Sequence, residues 1–228
     1  MTNDLRDPAS VREAVNGFAN WYHQIEVMPG LRTPGAHPSA QELARLDQVG
    51  LPKDCRGLRV LDIGCRDGFF SFEMERRGAE VVPCDYASPQ ATGFPIAAKL
   101  LGSRLQYRVR NVYNLRPEDD GLFDIVLCLG LLYHLRNPML AIDQVNGVLK
   151  RGGLLFLTTH LVSEPVLRDS KLPVWQFLPR DSYDGDATNK WIPNLAGLTS
   201  ALDEGALPVV DALVPEGVDF AYVKAQAG

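Results

Sequence analysis

The sequence of 228 residues contains no apolar segment long enough to cross a membrane. Its longest apolar run, residues 125–132, is far shorter than the roughly 20 residues that a transmembrane helix needs. Only four residues are cysteine and none forms a C-x-x-C pair, which disfavours a disulfide scaffold and a zinc site. Because no signal peptide precedes the apolar segments, we expect a cytoplasmic protein with reduced, mostly buried cysteines and no membrane partner.

The sequence also has no excess of basic residues. It contains 23 Lys and Arg against 28 Asp and Glu, so its net charge is -5. An acidic protein binds polyphosphate poorly unless its basic residues are concentrated in one patch. The arginines at 76, 77, 104, 108 and 110 look instead like solvated faces of ordinary elements. The composition therefore disfavours nucleic acid as a partner and leaves the oligomeric state open.

Clusters with metal-ligand spacing are absent as well. Asp181, Asp184 and Asp186 lie close together, but Gly185 and the lack of a partner glutamate argue against a calcium loop. We therefore expect no metal.

The feature that is present is an apolar strand followed by a glycine turn and a helix. Asp62 ends the strand, Gly64 and Gly68 form the turn, and Asp85 follows the next strand-like run. An acidic residue about 20 positions after such a turn usually binds a nucleoside ribose. The spacing lacks the third glycine of the dinucleotide fingerprint, and Asp62 would repel a phosphate. S-adenosylmethionine, which carries a sulfonium and an ammonium and no phosphate, fits better than NAD.

With these motifs the chain resembles the class I S-adenosylmethionine-dependent methyltransferases. The resemblance runs from about Leu58 to Thr159 and includes two further motifs, at residues 123–130 and 149–154. It is closer to the branch that contains the bacterial tRNA wobble-uridine carboxymethyltransferase. That likeness is carried by four short segments, namely residues 21–23, 33–35, 131–134 and 191–193.

Apolar strands that alternate with helices predict an α/β fold with a doubly wound, seven-stranded, mostly parallel sheet. The resemblance implies the Rossmann-like methyltransferase fold, whose last strand is antiparallel. We expect an N-terminal helical cap or lid (1–50) and a methyltransferase domain (51–228) with a substrate-lid insert (161–194). The pattern predicts helices at 8–24, 40–48, 68–77, 92–102 and 138–149. It predicts strands at 58–63, 79–84, 105–109, 123–129 and 153–159, and a hairpin of 209–215 with 219–224.

The cofactor site is expected at the carboxyl ends of the strands. It comprises Asp62, Gly64, Cys65, Gly68, Asp85, Tyr86, Asn111, Val112, Leu129 and Gly130. His134 is the candidate base and Tyr133 an orienting group. The acceptor side is expected to contain Trp21, Tyr22, His23, His160, Trp175, Phe177, Tyr183 and Trp191.

Three functions are consistent with these residues. The preferred one is methylation of a small-molecule acceptor with S-adenosylmethionine as the cofactor. The second is a tRNA wobble-uridine (carboxy)methyltransferase, which the resemblance implies would grip a carboxylated cofactor with a lysine, a tyrosine and an arginine. Tyr133 matches the tyrosine, but Ala187 stands at the arginine and the region with the lysine is missing. The third is a non-catalytic nucleoside-binding module.

Overall fold

The computed structural model describes residues 7–180, 183 and 185–228. Asp181 and Asp184, two members of the rejected calcium loop, lie outside these residues. The N-terminal helix α1 (Pro8–Asn16) begins at Asp7, whose carboxylate accepts a hydrogen bond from the backbone of Ser10. The predicted helix at 8–24 is therefore too long: α1 ends at Asn16, Gly17 caps it, and residues 18–24 are not helical.

The rest of the N-terminal cap is a hairpin and a second helix. Strands β1 (Glu26–Met28) and β2 (Leu31–Arg32) pair antiparallel, and α2 (Ser39–Gln48) follows. The sequence predicted the second helix but not the hairpin. Gly35 lies so close to His23 that a β carbon at Gly35 would meet the His23 backbone at 2.3 Å, so only glycine fits there. This contact places His37 beside His23, to which it forms an isolated β-bridge.

The remaining strands are β3 (Arg59–Ile63), β4 (Glu80–Asp85), β5 (Arg108–Val109), β6 (Phe123–Leu129), β7 (Leu149–His160), β8 (Trp175–Phe177), β9 (Trp191–Pro193), β10 (Val209–Leu213) and β11 (Phe220–Gln226). Seven of them form one sheet in the order β10–β11–β7–β6–β3–β4–β5. The inner strands are parallel, and β11 runs antiparallel to both of its neighbours. The predicted sheet and the predicted final hairpin are confirmed.

Two strands differ from the prediction in length. β5 pairs with β4 only at Arg108 and Val109, because it is the outer strand of the sheet and the residues before it do not pair with β4. β7 begins at Leu149 rather than at residue 153, since Leu149 pairs with Phe123 and the register then shifts across the predicted turn.

The helices after the cap are α3 (Phe69–Arg76), α4 (Phe94–Leu101), α5 (Pro117–Asp120), α6 (Pro138–Gly147), α7 (Pro165–Arg168) and α8 (Leu195–Glu204). Side chains that alternate along β6 enter two different apolar clusters. Val126 and Cys128 pack against α6 and α8, whereas Ile125 and Leu127 pack against α2 and α3. Helices therefore cover both faces of the sheet, as a doubly wound fold requires. No helix in the described part of the chain has the length and apolarity of a membrane span.

The insert at 161–194 contains α7 and the antiparallel pair β8–β9. The buried side-chain amide of Asn194 donates to the carbonyls of Leu167, Ser170 and Leu172, which fixes the start of the insert on α8. Part of the insert packs as a small apolar cluster that includes Leu178 and Ile192. The described part of the insert is thus anchored to the domain in this conformation.

Candidate active site

The turn after β3 has the backbone geometry of a ligand-binding loop. Gly64, Arg66 and Gly68 all have positive φ, at 76°, 49° and 89°. A β carbon at Gly68 would meet the Phe94 ring at 2.5 Å, so glycine is required there for space as well as for its backbone angle. The Arg66 backbone N–H donates to the Asp85 carboxylate at 3.1 Å. The turn is therefore fixed to the end of β4.

The two predicted carboxylates lie on neighbouring strands, near the carboxyl ends of β3 and β4. Asp62 is buried and accepts a hydrogen bond from the Ser71 hydroxyl at 2.5 Å. Burial raises the pKa of Asp62 to about 7, and the negative charge of Asp85 adds to the effect. Asp85 is also buried and accepts hydrogen bonds from the backbones of Arg66 and Ala87. The pair suits a ligand that brings positive charge.

Both carboxylates line a cavity of about 690 Å³ that lies beyond the strand ends. All the predicted cofactor residues except Gly68 line it, and Gly68 shapes the turn from behind. The predicted residues that line the cavity are Asp62, Gly64, Cys65, Asp85, Tyr86, Asn111, Val112, Leu129 and Gly130. The structure therefore brings nine of the ten predicted cofactor residues together around a single cavity.

The same cavity is also rich in imidazole and phenol groups. All four histidines of the chain line it, namely His23, His37, His134 and His160. Tyr22 and Tyr133 lie beside them. Tyr183 lines an adjoining cavity of about 370 Å³, and its hydroxyl lies 3.0 Å from His160 Nδ1.

Four predicted acceptor residues do not line this cavity. The indole N–H groups of the three tryptophans donate to backbone carbonyls outside it, and the phenylalanine ring packs on one of these tryptophans. The Trp21 indole donates to the Val15 carbonyl. Trp175 donates to Gly197, and Trp191 donates to Arg136. Phe177 is 55% exposed and packs on Trp191. In this conformation Trp21, Trp175, Phe177 and Trp191 do not line the cavity, so their closing over an acceptor remains a prediction.

The two predicted catalytic groups face the cavity in different states. Burial raises the pKa of Tyr133 far above its usual value, so the phenol keeps its proton. Burial lowers the pKa of His134, whose Nδ1 lies 3.0 Å from the Thr188 hydroxyl. That hydroxyl donates to Asp186 at 2.7 Å. Tyr133 is thus a hydrogen-bond donor, and His134 is a neutral imidazole oriented by the insert.

His37 and Glu42 are among the cavity residues that the sequence analysis missed. Glu42 is buried and its carboxylate lies 3.0 Å from His37 Nε2. Both belong to the cap, where His37 lies in an irregular Pro/Gly-rich segment that has no periodicity to mark a facing side chain. The only available signal was the resemblance of residues 33–35, which fix the path of this segment.

Comparison with known proteins identifies the central part of this fold. Residues 61–157 match the model of a family described as a methyltransferase domain. This segment runs from β3, through the glycine turn and both carboxylates, to β7. By this match it is a methyltransferase domain.

Relatives of the methyltransferase domain are named for ubiquinone biosynthesis. Over 115 residues the chain is 37% identical to the ubiquinone biosynthesis O-methyltransferase of Xanthomonas euvesicatoria pv. vesicatoria (strain 85-10), a match that covers 50% of this chain and 48% of the relative. The same enzyme of Xanthomonas oryzae pv. oryzae (strain PXO99A) is 38% identical over the same length. The chain spans about half the length of the curated relatives it matches.

Solved structures extend the likeness of fold to nearly the whole chain. The N-terminal domain of EvdMO1 with bound SAH superposes with a TM-score of 0.68 at 20% identity, over 97% of this chain and 98% of that one. A Burkholderia thailandensis 1,6-didemethyltoxoflavin-N1-methyltransferase superposes with a TM-score of 0.60 at 18% identity, over 98% and 87%. At these identities the likeness shows the fold, including the cap.

Proposed function

We propose that the chain transfers the methyl group of S-adenosylmethionine to a hydroxyl group of a small molecule. The observation that supports this most strongly is that one cavity is lined both by the carboxylates near the ends of β3 and β4 and by all four histidines. The carboxylates suit the cationic cofactor, and the histidines suit an acceptor that must lose a proton. The naming of the relatives as O-methyltransferases supports oxygen as the acceptor atom.

Each part of the cofactor has a proposed partner. Asp62 and the Gly64 backbone bind the methionine end, where the ammonium and sulfonium offset the cost of a buried carboxylate. The Asp85 carboxylate accepts hydrogen bonds from both ribose hydroxyls. These hydrogen bonds are short and strong because the acceptor is charged. Asn111 and Val112 flank the adenine from the segment after β5.

On the acceptor side, the protein mainly has to align the acceptor oxygen with the methyl group and the sulfur. Alignment alone supplies roughly 7–11 kcal/mol in the best intramolecular cases. Tyr133 donates a hydrogen bond to the acceptor without losing its proton. His134 contacts the acceptor from beside the Tyr133 ring, and the centres of the two rings lie 4.2 Å apart.

The charges around the cavity favour ordinary S-adenosylmethionine over a carboxylated form. Among the described residues, the cations that line the cavity are Arg66 and Arg110, and Arg110 is held by Asp119 and Asp120. Lys190, an alternative carboxylate partner, lies outside the lining and donates to the Ala187 carbonyl. Arg66 then suits the single carboxylate of ordinary S-adenosylmethionine, and a second buried carboxylate would lack a partner among these residues.

A screen with deuterated-methyl S-adenosylmethionine tests the proposal. The protein is incubated with separate pools of phenols, sugars, amines and tRNA, and the products are detected by mass spectrometry. We expect a labelled methyl group on a hydroxyl of a phenol or a sugar. A label found only on amines contradicts the acceptor atom, and a label found only on tRNA contradicts the small-molecule class.

A further inference from the structure

The four histidines of the cavity differ in what holds them. The ring of His134 bonds to the Thr188 hydroxyl and that of His160 to the Tyr183 hydroxyl. His23 is buried among aromatic rings, and burial lowers its pKa to about 3. His37 differs in that its Nε2 lies 3.0 Å from a carboxylate oxygen of Glu42. A carboxylate behind an imidazole is the arrangement that stabilises the imidazolium formed when a histidine accepts a proton.

The Glu42 carboxylate is held in position from two sides. One oxygen lies against His37 Nε2, and the other accepts a hydrogen bond from the Thr158 hydroxyl at 3.0 Å. The same hydroxyl accepts from the Gly130 backbone N–H at 2.9 Å. Glu42 is only 5% exposed, so this carboxylate is fixed between the cap and the strand ends of the sheet. A group so placed orients its partner and has little freedom to move.

The His37 ring is also fixed. It stacks on Tyr22 with ring centres 4.8 Å apart, and the His37 backbone N–H donates to the Tyr22 carbonyl. Its other nitrogen, Nδ1, is buried and has no hydrogen-bond partner among the residues that the structure describes. Because Glu42 is an acceptor, it places the ring proton on Nε2, which leaves a lone pair on Nδ1. A buried lone pair with no donor is costly unless a ligand supplies one.

His37 and Glu42 also lie where two cavities meet. Both residues line the cofactor cavity, and both line the adjoining cavity of about 370 Å³. The second cavity is also lined by Arg45, whose guanidinium bonds to the Tyr222 hydroxyl. An acceptor that extends from the cofactor toward this second cavity passes His37.

We propose that His37 of the cap is the general base for the acceptor hydroxyl, and that Glu42 is its positioning residue. This inference rests on the proposed function. As the acceptor oxygen forms its bond to the methyl carbon, the carbon–sulfur bond breaks and its electron pair stays on sulfur. The acceptor proton moves to His37 Nδ1, and Glu42 stabilises the resulting imidazolium. After the product leaves, the imidazolium releases its proton to solvent, and His134 keeps the separate role of contacting the acceptor.

The first test locates the ring proton and needs no acceptor. Protein labelled with ¹⁵N-histidine is saturated with S-adenosylhomocysteine at about pH 9, well above the ordinary histidine pKa. The His37 signals are assigned by their loss in His37→Gln. We expect a proton on Nε2 and none on Nδ1, and we expect Glu42→Gln to weaken this preference. A proton on Nδ1 in the wild-type protein overturns the proposal.

The second test uses the acceptor found in the labelled screen. His37→Gln should lower kcat by about 10²–10⁴-fold, the usual range for a lost general base, with S-adenosylhomocysteine affinity changed by less than about twofold. Added imidazole should restore part of the kcat of His37→Gln but not that of His134→Gln. Equal turnover of His37→Gln and wild type overturns the assignment of the base.

Failure of the proposed function has a different signature. In that case the wild-type protein methylates no hydroxyl, whatever the position of the His37 proton. Should His37→Gln fail to fold, Glu42→Gln replaces it in the kinetic test, because it keeps the shape of the side chain. Its kcat should fall while its KM for the acceptor stays within about twofold, and an unchanged kcat overturns the positioning role.

Discussion

The carboxylate of Asp67 accepts a hydrogen bond from the backbone N–H of Tyr22 at 2.6 Å. It also accepts from the backbones of His23 at 3.0 Å and Gly93 at 2.8 Å, and it is fully buried. Asp67 belongs to the same glycine turn that lines the cofactor side of the cavity. One side chain therefore joins the cofactor turn, the cap and the start of α4.

This connection predicts that Asp67→Asn weakens the contact between the cap and the glycine turn, and with it the binding of the cofactor. Both oxygens of Asp67 accept hydrogen bonds from backbone N–H groups, and asparagine replaces one of these oxygens with an NH₂ group that cannot accept. The contact of the cap with the turn should therefore weaken. We expect S-adenosylhomocysteine affinity to fall by about tenfold, or roughly 1.4 kcal/mol. Affinity for 5′-methylthioadenosine should fall less, because it lacks the amino-acid end that we place at Asp62 and at the Gly64 backbone of the same turn. Calorimetry with both ligands measures the difference, with Asp54→Asn as a surface control, and equal losses for the two ligands contradict the coupling.

A second prediction concerns the proposed ribose carboxylate. Asp85→Ala removes a charged acceptor from two hydroxyls, so S-adenosylhomocysteine affinity should fall by about 2–3 kcal/mol. Because Asp85 also holds the Arg66 and Ala87 backbones, the variant should be checked for folding by circular dichroism. If a folded variant binds S-adenosylhomocysteine as tightly as wild type, the ribose assignment is wrong.

The raised pKa of Asp62 predicts a pH-dependent cost to stability. In the unfolded chain this carboxyl loses its proton near 3.8, whereas in the folded protein its pKa is about 7. Between these values the unfolded state binds fewer protons, so the free energy of unfolding falls as pH rises from about 4 to about 7. Asp62→Asn should therefore stabilise the ligand-free protein by about 1–3 kcal/mol at pH 8 and by little at pH 4.

The same substitution should weaken cofactor binding, because the amide that replaces the carboxylate carries no charge for the cationic ligand. Denaturant unfolding at both pH values and calorimetry at pH 8 measure the two effects. Asp143→Asn on α6 is a matched control. A loss of stability at pH 8 would show that the buried charge is compensated within the ligand-free protein.

The insert gives a fourth prediction, which concerns its proposed role as a lid. Trypsin should cut the ligand-free protein after Arg168, Lys171, Arg180 or Lys190, and more slowly once cofactor and acceptor are bound. Arg168 pairs with Asp169 and Asp219, so cleavage there should be the slowest of the four. Resistance at all four sites without ligand would show that the insert is a fixed part of the domain.

Local sequence signals were sufficient for the sheet and for the meeting of Asp62, Asp85 and Gly130 around one cavity. Strands β3, β4 and β6 are largely apolar runs, and parallel strands bring their carboxyl ends together, so Asp62, Asp85 and Gly130 had to meet at one edge. The antiparallel hairpin of β10 and β11 followed from a short turn between two strand-like segments.

The acceptor side depended on contacts that no local pattern encodes. His37 reaches the cavity because Gly35 packs on the His23 backbone and because Glu42 binds Thr158, which is 116 residues away. The tryptophans were expected in the cavity because large aromatic groups are unusual in a loop. In the structure their indole N–H groups donate to backbone carbonyls such as those of Val15 and Gly197. Sequence alone does not reveal such hydrogen-bond partners.

The most direct test of the account is transfer of a deuterated methyl group by the purified wild-type protein, with Asp85→Ala assayed in parallel. The account predicts a labelled hydroxyl on a phenol or a sugar in the wild-type reaction and a large loss of that product at a low cofactor concentration in the variant. Tight binding of S-adenosylhomocysteine with no labelled product in any pool would contradict it, and would identify the chain as a nucleoside-binding module without methyltransferase activity.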